Sequence, residues 1–309
     1  MNVVVVAGLK NGRYICEFLK KSSDVNLIKV FVMDDKHSSK ISDFVFFDDI
    51  VDEDKLTKID RINDYEVEIG ELKPDYIVVV GWSQIISDRI IRSANKACIG
   101  FHPSKLPKDR GRSVLAWQIA EGYSRGCVTM FEIDVGVDTG GIIGQIEYAI
   151  EYEDTIKEVL GKAYDSCLSL MEKCFVPYTE GQILPTKQNE EVASSRRLRI
   201  YNDGIINWNK SSRDIYNLVR AITCPYPMAV TFINKTEVFV VKAFETECAE
   251  RSANAPYGKV ISTGENGIVV KAMNNAVLIT KIKVEDKILE ANEISDLVHL
   301  NDMFTMEIS

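Results

Sequence analysis

The alternation of strand-like and helix-like runs in the first half of the chain most limits the folds open to it. Residues 2–7 are largely apolar, residues 8–12 include two glycines, and residues 13–21 have a helical pattern of apolar positions. Further strand-like runs lie at residues 27–33 and 76–80. Because strands that alternate with helices imply a parallel, doubly wound sheet, we predict a Rossmann-like, mostly parallel α/β domain. The first turn lacks the full dinucleotide-binding fingerprint and is interpreted as a tight strand-to-helix turn.

The second half of the chain has the pattern of a small β domain. Helices are predicted over residues 154–176 and 211–222, and short strands over residues 228–232, 238–244, 258–262, 267–272 and 276–284. Five short strands fit a small β-barrel of the oligonucleotide/oligosaccharide-binding (OB) type. The mostly polar residues 187–199 are interpreted as a surface linker. We therefore predict two domains, an α/β domain at residues 1–199 and an OB-like barrel at residues 200–309.

Composition and charge exclude several classes of protein. The 309 residues carry a formal net charge of −9, which argues against broad affinity for nucleic acid or for an anionic membrane surface. No apolar run approaches the roughly 20 residues of a membrane span, so we expect a cytoplasmic protein. Seven scattered cysteines without a CxxC pair indicate reduced thiols and no metal site.

Residues 98–145 hold two candidate catalytic side chains, His102 and Asp138. Pro103 and Pro107 exclude a helix around His102, which is therefore expected on a loop. Asp138 falls in a turn-rich loop, and a histidine with a carboxylate partner can exchange a proton near neutral pH. The alternative is an ordinary loop histidine and a turn-forming aspartate, since Asp-Thr-Gly is common in turns. The surrounding patterns predict a helix over residues 113–121 and strands over residues 127–133 and 142–150.

Four sequence blocks occur in a fixed order in this stretch: His-Pro-Ser-x-Leu-Pro-x-x-Arg-Gly, Trp-x-Ile-x-x-Gly, Gly-x-Val-Thr and Asp-Thr-Gly-x-Ile. Together they resemble the signature of the 10-formyltetrahydrofolate-dependent formyltransferases, most closely the nucleotide-sugar N-formyltransferases. The resemblance implies that His102 and Asp138 are catalytic. It also places Gly100 where the family has an Asn that, with the His, holds the developing oxyanion. Loss of one such donor typically costs about a hundred- to a thousandfold in rate.

Three interpretations of Gly100 remain open. Ser104 or a backbone N–H replaces the missing donor, the enzyme is slow, or the chain is a weakly active or non-catalytic folate-binding relative. We favour a replacement donor, and Ser104 is the candidate side chain, because the rest of the motif is intact.

The resemblance also implies a site for 10-formyltetrahydrofolate as co-substrate, with no metal. Trp82, Ile85 and Ile86 follow the predicted strand at residues 76–80, at the position of the loop that lines the pterin cleft in the family. An aromatic and aliphatic wall suits a flat heterocycle, although core packing is the alternative for the two isoleucines. Asp134 and Gly136 are expected to contribute to the same folate site.

Charge narrows the amine that receives the formyl group. From residue 205 onward the chain has 11 Lys and Arg against 13 Asp and Glu, whereas a tRNA-binding barrel should be basic. The sequence Arg-Gly-Arg at residues 110–112 is similar to that of the nucleotide-sugar members. Arg112, Arg110 and Lys10 are therefore predicted to bind the substrate, because guanidinium groups suit a diphosphate. For Arg110 the alternative is a structural role.

The expected function is transfer of a formyl group from 10-formyltetrahydrofolate to the amine of a nucleotide-linked amino sugar, as in glycan biosynthesis. Neither nucleic acid nor a membrane is expected as a partner, and a homodimer is left open. The alternative acceptor is methionyl-tRNA, for which tight and steeply salt-dependent tRNA binding is expected.

Overall fold

The computed structural model describes residues 1–307 and divides the chain into two compact units. The first unit comprises Met1–Val114, Arg125–Ala149 and Leu160–Arg197. The second comprises Leu115–Ser124, Ile150–Val159 and the chain from Leu198 onward. The units thus interleave along the sequence, and a single boundary between residues 199 and 200 stays a prediction.

The first unit is built on a seven-stranded sheet. Its elements are β1 (Asn2–Ala7), α1 (Leu9–Lys21), β2 (Asn26–Met33), β3 (Leu56–Ile59), α2 (Glu66–Glu71), β4 (Tyr76–Val80), α3 (Asp88–Ser93), β5 (Ala97–His102), β6 (Arg110–Gly111), α4 (Val114–Ala120), β7 (Arg125–Glu132), β8 (Ile142–Ala149), α5 (Ile156–Thr179) and β9 (Ser195–Arg196). Two of these helices are divided between the units: α4 from its second residue onward and α5 up to Val159 belong to the second unit. The strand order is β3-β2-β1-β4-β5-β7-β8. Strands β1 to β5 are parallel, and β7 and β8 are added antiparallel. The predicted mostly parallel α/β fold is confirmed.

The apolar runs of the sequence form the centre of this sheet. Val3 to Val6 of β1 are fully buried, as are Ile77 and Val78 of β4. Parallel strands covered on both faces have continuous rather than alternating apolar sequences, which is why these two strands are predictable. The carboxyl ends of β1 and β4 approach so closely that a Cβ on Gly8 would lie 2.3 Å from the Gly81 carbonyl oxygen. Gly8 is the N-cap of α1, and the helix therefore begins at Leu9, earlier than predicted.

One local prediction in the first unit is wrong. His102 is the last residue of β5 and pairs with Thr129 of β7, instead of lying on a loop. The residue before a proline favours extended backbone, so Pro103 ends the strand without removing His102 from it. The predicted surface linker at residues 187–199 is largely exposed, but it is anchored to the first unit, because β9 pairs in parallel with β6 and Gln188 is buried.

The second unit contains an antiparallel sheet with one strand more than predicted. Its elements are α6 (Ser212–Ile222), β10 (Ala229–Ile233), β11 (Thr236–Thr246), β12 (Val260–Gly264), β13 (Gly267–Lys271), β14 (Ala276–Val284), β15 (Lys287–Glu290) and α7 (Ala291–Leu297). The order is β10-β11-β14-β13-β12, and β15 pairs with β14. Near the chain end, Thr305 bridges to Phe232 of β10, and Met303 bridges to Lys259 beside β12. The same terminal segment thus contacts both ends of the strand order, as in the predicted small barrel.

Contacts within the second unit explain why segments 115–124 and 150–159 belong to it. The Arg199 guanidinium lies 4.3 Å from the centre of the Trp117 ring. The buried Arg220 donates to the carbonyl oxygens of Glu151 and Asp154 at 3.2 and 2.7 Å. Burial lowers the pKa of Arg220, and these bonds compensate the buried charge.

Burial separates the seven thiols into four that are buried, two that are half-buried (Cys174 and Cys248) and one that is exposed, which gives a first prediction. Burial raises the pKa of Cys16, Cys98 and Cys167 to about 12 and that of Cys127 to about 11, whereas Cys224 is exposed. With a thiol-specific reagent near neutral pH we expect Cys224 to react first. The four buried thiols should react at least about a hundredfold more slowly, because each must wait for the structure to open.

Labelling sites are read by peptide mass spectrometry after timed quenching, with Cys224→Ser as the control. A fast phase of unchanged amplitude in that variant, or early labelling of Cys98, would contradict the buried positions.

Candidate active site

The end of β5 and the loop between β7 and β8 bring His102 and Asp138 together. His102 Nδ1 lies 3.4 Å from Asp138 Oδ2, with side-chain exposures of 6% and 20%. Because β7 pairs antiparallel with β5, its carboxyl end at Glu132 lies beside Ile99, three residues before His102. The loop after β7 must therefore extend back along β5 for Asp138 to meet His102. The convergence inferred from the order of elements is thus present.

The second ring nitrogen of His102 also has a protein partner. Nε2 lies 2.7 Å from the carbonyl oxygen of Asp109. Since a carbonyl oxygen only accepts, Nε2 carries the hydrogen in this contact, and Nδ1 is the nitrogen that faces the carboxylate. Asp109 itself is buried, has a left-handed backbone with φ of 56°, and pairs with Arg196 Nε at 2.7 Å.

The two oxygens of the Asp138 carboxylate have different surroundings. Oδ2 accepts the Gly111 backbone N–H at 2.8 Å and faces His102. Oδ1 has no hydrogen bond with any of residues 1–307. One oxygen is therefore oriented by the protein, and the other can accept a hydrogen from a ligand.

Gly100, which stands in place of the family Asn, is packed against Ile133. A Cβ at Gly100 would lie 2.9 Å from both Cγ1 and Cδ1 of Ile133 and 3.1 Å from Phe131 Cε1. Ile133 in turn packs against the hydrophobic core. The volume that a larger side chain would need is thus filled by aliphatic carbon.

Ser104, the predicted replacement donor, is fully buried. Its hydroxyl donates to the Lys108 carbonyl oxygen at 2.6 Å, and its own carbonyl accepts from the Thr129 hydroxyl at 2.6 Å. The single hydrogen of the hydroxyl is committed to the loop backbone, so the structure does not favour Ser104 as an oxyanion donor.

A cleft of about 470 Å³ opens at the carboxyl edge of the sheet in the first unit. It is lined by Arg61, Asn63, Ser83, Gln84, Ile85 and Arg112. Ile85 is 75% exposed there, whereas Ile86 is buried in the hydrophobic core and does not line the cleft. Trp82 is half-buried, and its indole Nε1 is buried without a hydrogen-bond partner among residues 1–307.

The guanidinium groups of Arg61 and Arg112 are the charged groups of this cleft. Both residues are exposed, and neither forms an ion pair with any other described residue. Sequence reasoning singled out Arg112 but missed Arg61 and its neighbours. Arg61 lies two residues after the end of β3, a strand of four residues that is too short to show a pattern in the sequence.

Side-chain amides attach the two walls of the cleft to each other. Gln84 Nε2 donates to the Asp60 carbonyl oxygen at 2.6 Å, and Gln84 Oε1 accepts from the Ile62 N–H at 3.2 Å. Asn63 Nδ2 donates to the Ile85 carbonyl oxygen at 3.1 Å, and Asn63 Oδ1 accepts from the Ser87 N–H at 3.1 Å. These four bonds fix the loop that presents Ile85.

Four other predicted site residues lie outside the cleft lining. Arg110 is buried and bonds to Gln188 and Glu190. Lys10 is exposed on α1 with its Nζ 5.6 Å from the centre of the Tyr14 ring, and the hydrogen bond with Tyr14 raises the pKa of Lys10. Asp134 is exposed and accepts from the Gly136 N–H and the Thr139 hydroxyl, at 3.0 and 2.5 Å. Their assignments to substrate and folate stay predictions.

Comparison with known proteins identifies the class. The formyl transferase family matches residues 1–171, and the formyl transferase C-terminal domain family matches residues 200–295. The chain belongs to the formyl transferase family. It is a formyl-transferring enzyme whose family uses 10-formyltetrahydrofolate.

A methionyl-tRNA formyltransferase of Clostridium tetani is 34% identical over 220 residues, which is 71% of this chain and 69% of that protein. The N-formyltransferase of Helicobacter canadensis, solved with folinic acid and dTDP-3-aminofucose, aligns with a TM-score of 0.68 at 20% identity over 90% of this chain and 98% of that one. HypX of Aquifex aeolicus, solved with tetrahydrofolic acid, aligns with a TM-score of 0.66 at 16% identity. The alignment covers 95% of this chain and 46% of HypX, so this chain spans about half the length of HypX. At these identities the solved structures support the fold.

Among residues 1–307 no helix combines the length and apolarity needed to cross a membrane. Within the same residues no group of three or more His, Cys, Asp or Glu side chains is arranged to hold a metal ion.

The contact between Gly100 and Ile133 gives a prediction about stability. Gly100→Asn should lower the free energy of unfolding by about 1–3 kcal/mol, because the added side chain overpacks Ile133. In an Ile133→Ala background the same change should cost at least about 1 kcal/mol less, because the two positions compete for one volume. Urea unfolding of the four proteins measures this coupling.

Gly264→Asn is the matched control, since Gly264 is also a strand glycine and its Cβ position has open space around it. Additive costs for Gly100→Asn and Ile133→Ala would show that Ile133 does not fill the position of the family Asn.

Proposed function

We propose that this formyltransferase uses the amine of a nucleotide-linked amino sugar as its acceptor. The observation that carries the proposal is the cleft with two exposed guanidinium groups, Arg61 and Arg112, which have no ion-pair partner among residues 1–307, beside the exposed Ile85. A guanidinium group can donate two parallel hydrogen bonds to the oxygens of one phosphate. An exposed aliphatic side chain can pack against the face of a flat ring. Both the folate and the nucleotide-linked sugar offer anionic groups next to a ring.

The cleft also fits the folate donor. Ile85 offers an apolar surface to the pterin. Trp82 packs against the hydrophobic core with its Nε1 buried and does not line the cleft, so a contact with folate does not follow for it. When bound, 10-formyltetrahydrofolate supplies the formyl carbon. We assign Ile85 to the folate, and Arg112 with Arg61 to the anionic groups.

His102 and Asp138 are proposed to handle the proton of the attacking amine. Asp138 Oδ1 has no hydrogen-bond partner among residues 1–307 and is the acceptor for that proton, while Oδ2 is held by the Gly111 N–H. As the bond from the amine nitrogen to the formyl carbon forms and the bond from that carbon to the folate nitrogen breaks, the same proton passes from Asp138 to the departing nitrogen. His102 faces Oδ2 through Nδ1 and is held by the Asp109 carbonyl through Nε2. With both ring nitrogens protonated, the imidazolium donates through Nδ1 to Oδ2, which orients the carboxylate and balances its charge.

The charge of the chain supports a small acceptor over tRNA. The 11 basic and 13 acidic residues from position 205 onward offer little attraction to a phosphate backbone. The second candidate acceptor is methionyl-tRNA, favoured by the 34% identical relative named as a methionyl-tRNA formyltransferase.

A panel of acceptors separates these two functions. The protein is incubated with 10-formyltetrahydrofolate and with dTDP-, UDP- and GDP-linked amino sugars or methionyl-tRNA, and products are read by mass for an added formyl group. Formylation of an amino sugar, with weak tRNA binding at physiological salt, is expected. Formylation of methionyl-tRNA alone would replace the proposal with the second candidate.

Removal of either cleft guanidinium should weaken ligand binding. Arg61→Ala and Arg112→Ala are each expected to raise the KM of an anionic ligand about tenfold, because a hydrogen bond to a charged group is worth roughly 1.5–3 kcal/mol. Arg89→Ala, which removes an exposed guanidinium outside the cleft lining, is the matched control. Steady-state kinetics varied in each substrate show which ligand each arginine contacts, and unchanged KM values in both variants would contradict the cleft assignment.

Asp138→Asn should lower kcat by about a hundred- to ten-thousandfold, since the amide cannot accept the proton. Binding of folinic acid, measured by calorimetry, should stay within about twofold because the folate site is left intact. A near wild-type kcat in this variant would remove Asp138 from the proposed chemistry.

A further inference from the structure

The side chain of Gln188 lies buried between the two loops that form the candidate active site. Its Nε2 donates to the carbonyl oxygens of Asp138 and Gly140 at 2.8 and 2.7 Å. Its Oε1 accepts from Arg110 Nε and Nη2 at 3.2 and 2.8 Å. Gln188 is 4% exposed, and both hydrogens and the oxygen of its amide are used.

The backbone of Asp138 is helped by hydrogen bonds from Gln188, because the loop that carries Asp138 has little apolar packing of its own. Its φ of 56° is in the left-handed region, which is unfavourable for a residue with a side chain. The preceding Val135 and Val137 are 75% and 57% exposed, so this turn contributes little apolar packing. The turn is closed internally by the bonds from Gly136 and Thr139 to Asp134. The bonds to the Asp138 and Gly140 carbonyl oxygens come from outside the turn, from Gln188.

Arg110 links the residue that holds the Asp138 backbone to the residue that holds the Asp138 carboxylate. Its guanidinium is held by Gln188 and by Glu190, whose two oxygens accept at 2.9 and 2.7 Å. The next residue, Gly111, donates its N–H to Asp138 Oδ2. Asp138, Gly111, Arg110 and Gln188 thus form a closed ring of covalent and hydrogen-bonded contacts around the carboxylate.

The same segment, residues 188–196, also supports the other partner of His102. Arg196 Nε pairs with Asp109 Oδ1 at 2.7 Å, and the Ser194 hydroxyl accepts the Asp109 N–H at 2.9 Å. The Asp109 carbonyl is the acceptor for His102 Nε2. Both groups that face the imidazole are therefore held by one segment that is remote in sequence.

We propose that Gln188 is a positioning residue for formyl transfer. It touches no substrate and acts through Asp138, whose carboxylate it keeps facing His102 by fixing the backbone at Asp138 and Gly140. The inference rests on the proposed role of Asp138 as proton acceptor. A displacement of about 1 Å at a reacting group can cost about a hundredfold in rate.

Two variants test the role. Gln188→Leu removes all the amide bonds at similar volume. Gln188→Glu keeps an acceptor for Arg110 but has no hydrogen for the Asp138 and Gly140 carbonyls, and it serves if the leucine variant fails to fold. Both should lower kcat about ten- to a hundredfold with little change in either KM. Gln182→Ala, which removes an exposed amide bonded to Glu180, is the matched control.

The assay uses 10-formyltetrahydrofolate with a dTDP-linked amino sugar and with methionyl-tRNA, in wild-type and Asp138→Asn backgrounds. In the Asp138→Asn background the Gln188 variants should cause less than about a twofold further loss of kcat, because the group they position is already inactive. Equal losses in both backgrounds would overturn the inference.

Amide hydrogen exchange of residues 134–141 without substrates gives a readout independent of turnover. Exchange should be at least about tenfold faster in the Gln188 variants and unchanged in Gln182→Ala. Unchanged exchange overturns the inference. If Asp138→Asn keeps full kcat, the proposed role of Asp138 fails as well. If neither acceptor is formylated while exchange is faster as expected, the proposed substrates fail and the positioning contact stands.

Discussion

The hydrogen bond from His102 to the Asp109 carbonyl is the contact on which the rest of the site depends. It requires the loop after β5 to turn back over the strand end, and a buried threonine in β7 makes that turn possible. Thr129 donates to the Ser104 carbonyl at 2.6 Å and accepts from the Leu106 N–H at 3.2 Å. A loop held in this way gives the imidazole one orientation, and Asp138 meets the nitrogen that is left.

The predictable parts of the fold are those in which the burial of a segment determines the residue types of that same segment. Strands β1 and β4 are continuous apolar runs because the sheet covers both of their faces. The meeting of His102 with Asp138 was expected from the order of loop, helix, strand and loop, and the two side chains do meet. The strand pairing alone does not explain it, because the carboxyl end of β7 pairs with Ile99 and the loop has to extend back to His102. Their chemical roles stay proposals.

The parts that could not be predicted are polar residues whose partners are remote in sequence. Gln188 is 50 residues from Asp138 and 78 from Arg110 along the chain, and a polar run gives no local sign that it is buried. Arg61 follows a strand of only four residues, too short to show a pattern. The start of α1 was missed for a different reason, because Leu9 has a left-handed φ of 54° that no propensity favours.

Gly100 and Ile133 explain how the site can differ from the family pattern without losing its framework. Ile133 packs against the same hydrophobic core as Cys98 of β5, so its side chain is held where an Asn at position 100 would need room. Ile133 therefore supplies carbon where the family has a hydrogen-bond donor. His102 Nε2 is meanwhile bonded to a backbone carbonyl. Between His102 and Asp138, the polar atom without a partner among residues 1–307 is Asp138 Oδ1. Under the proposed chemistry, catalysis would depend on accepting the amine proton more than on holding the oxyanion.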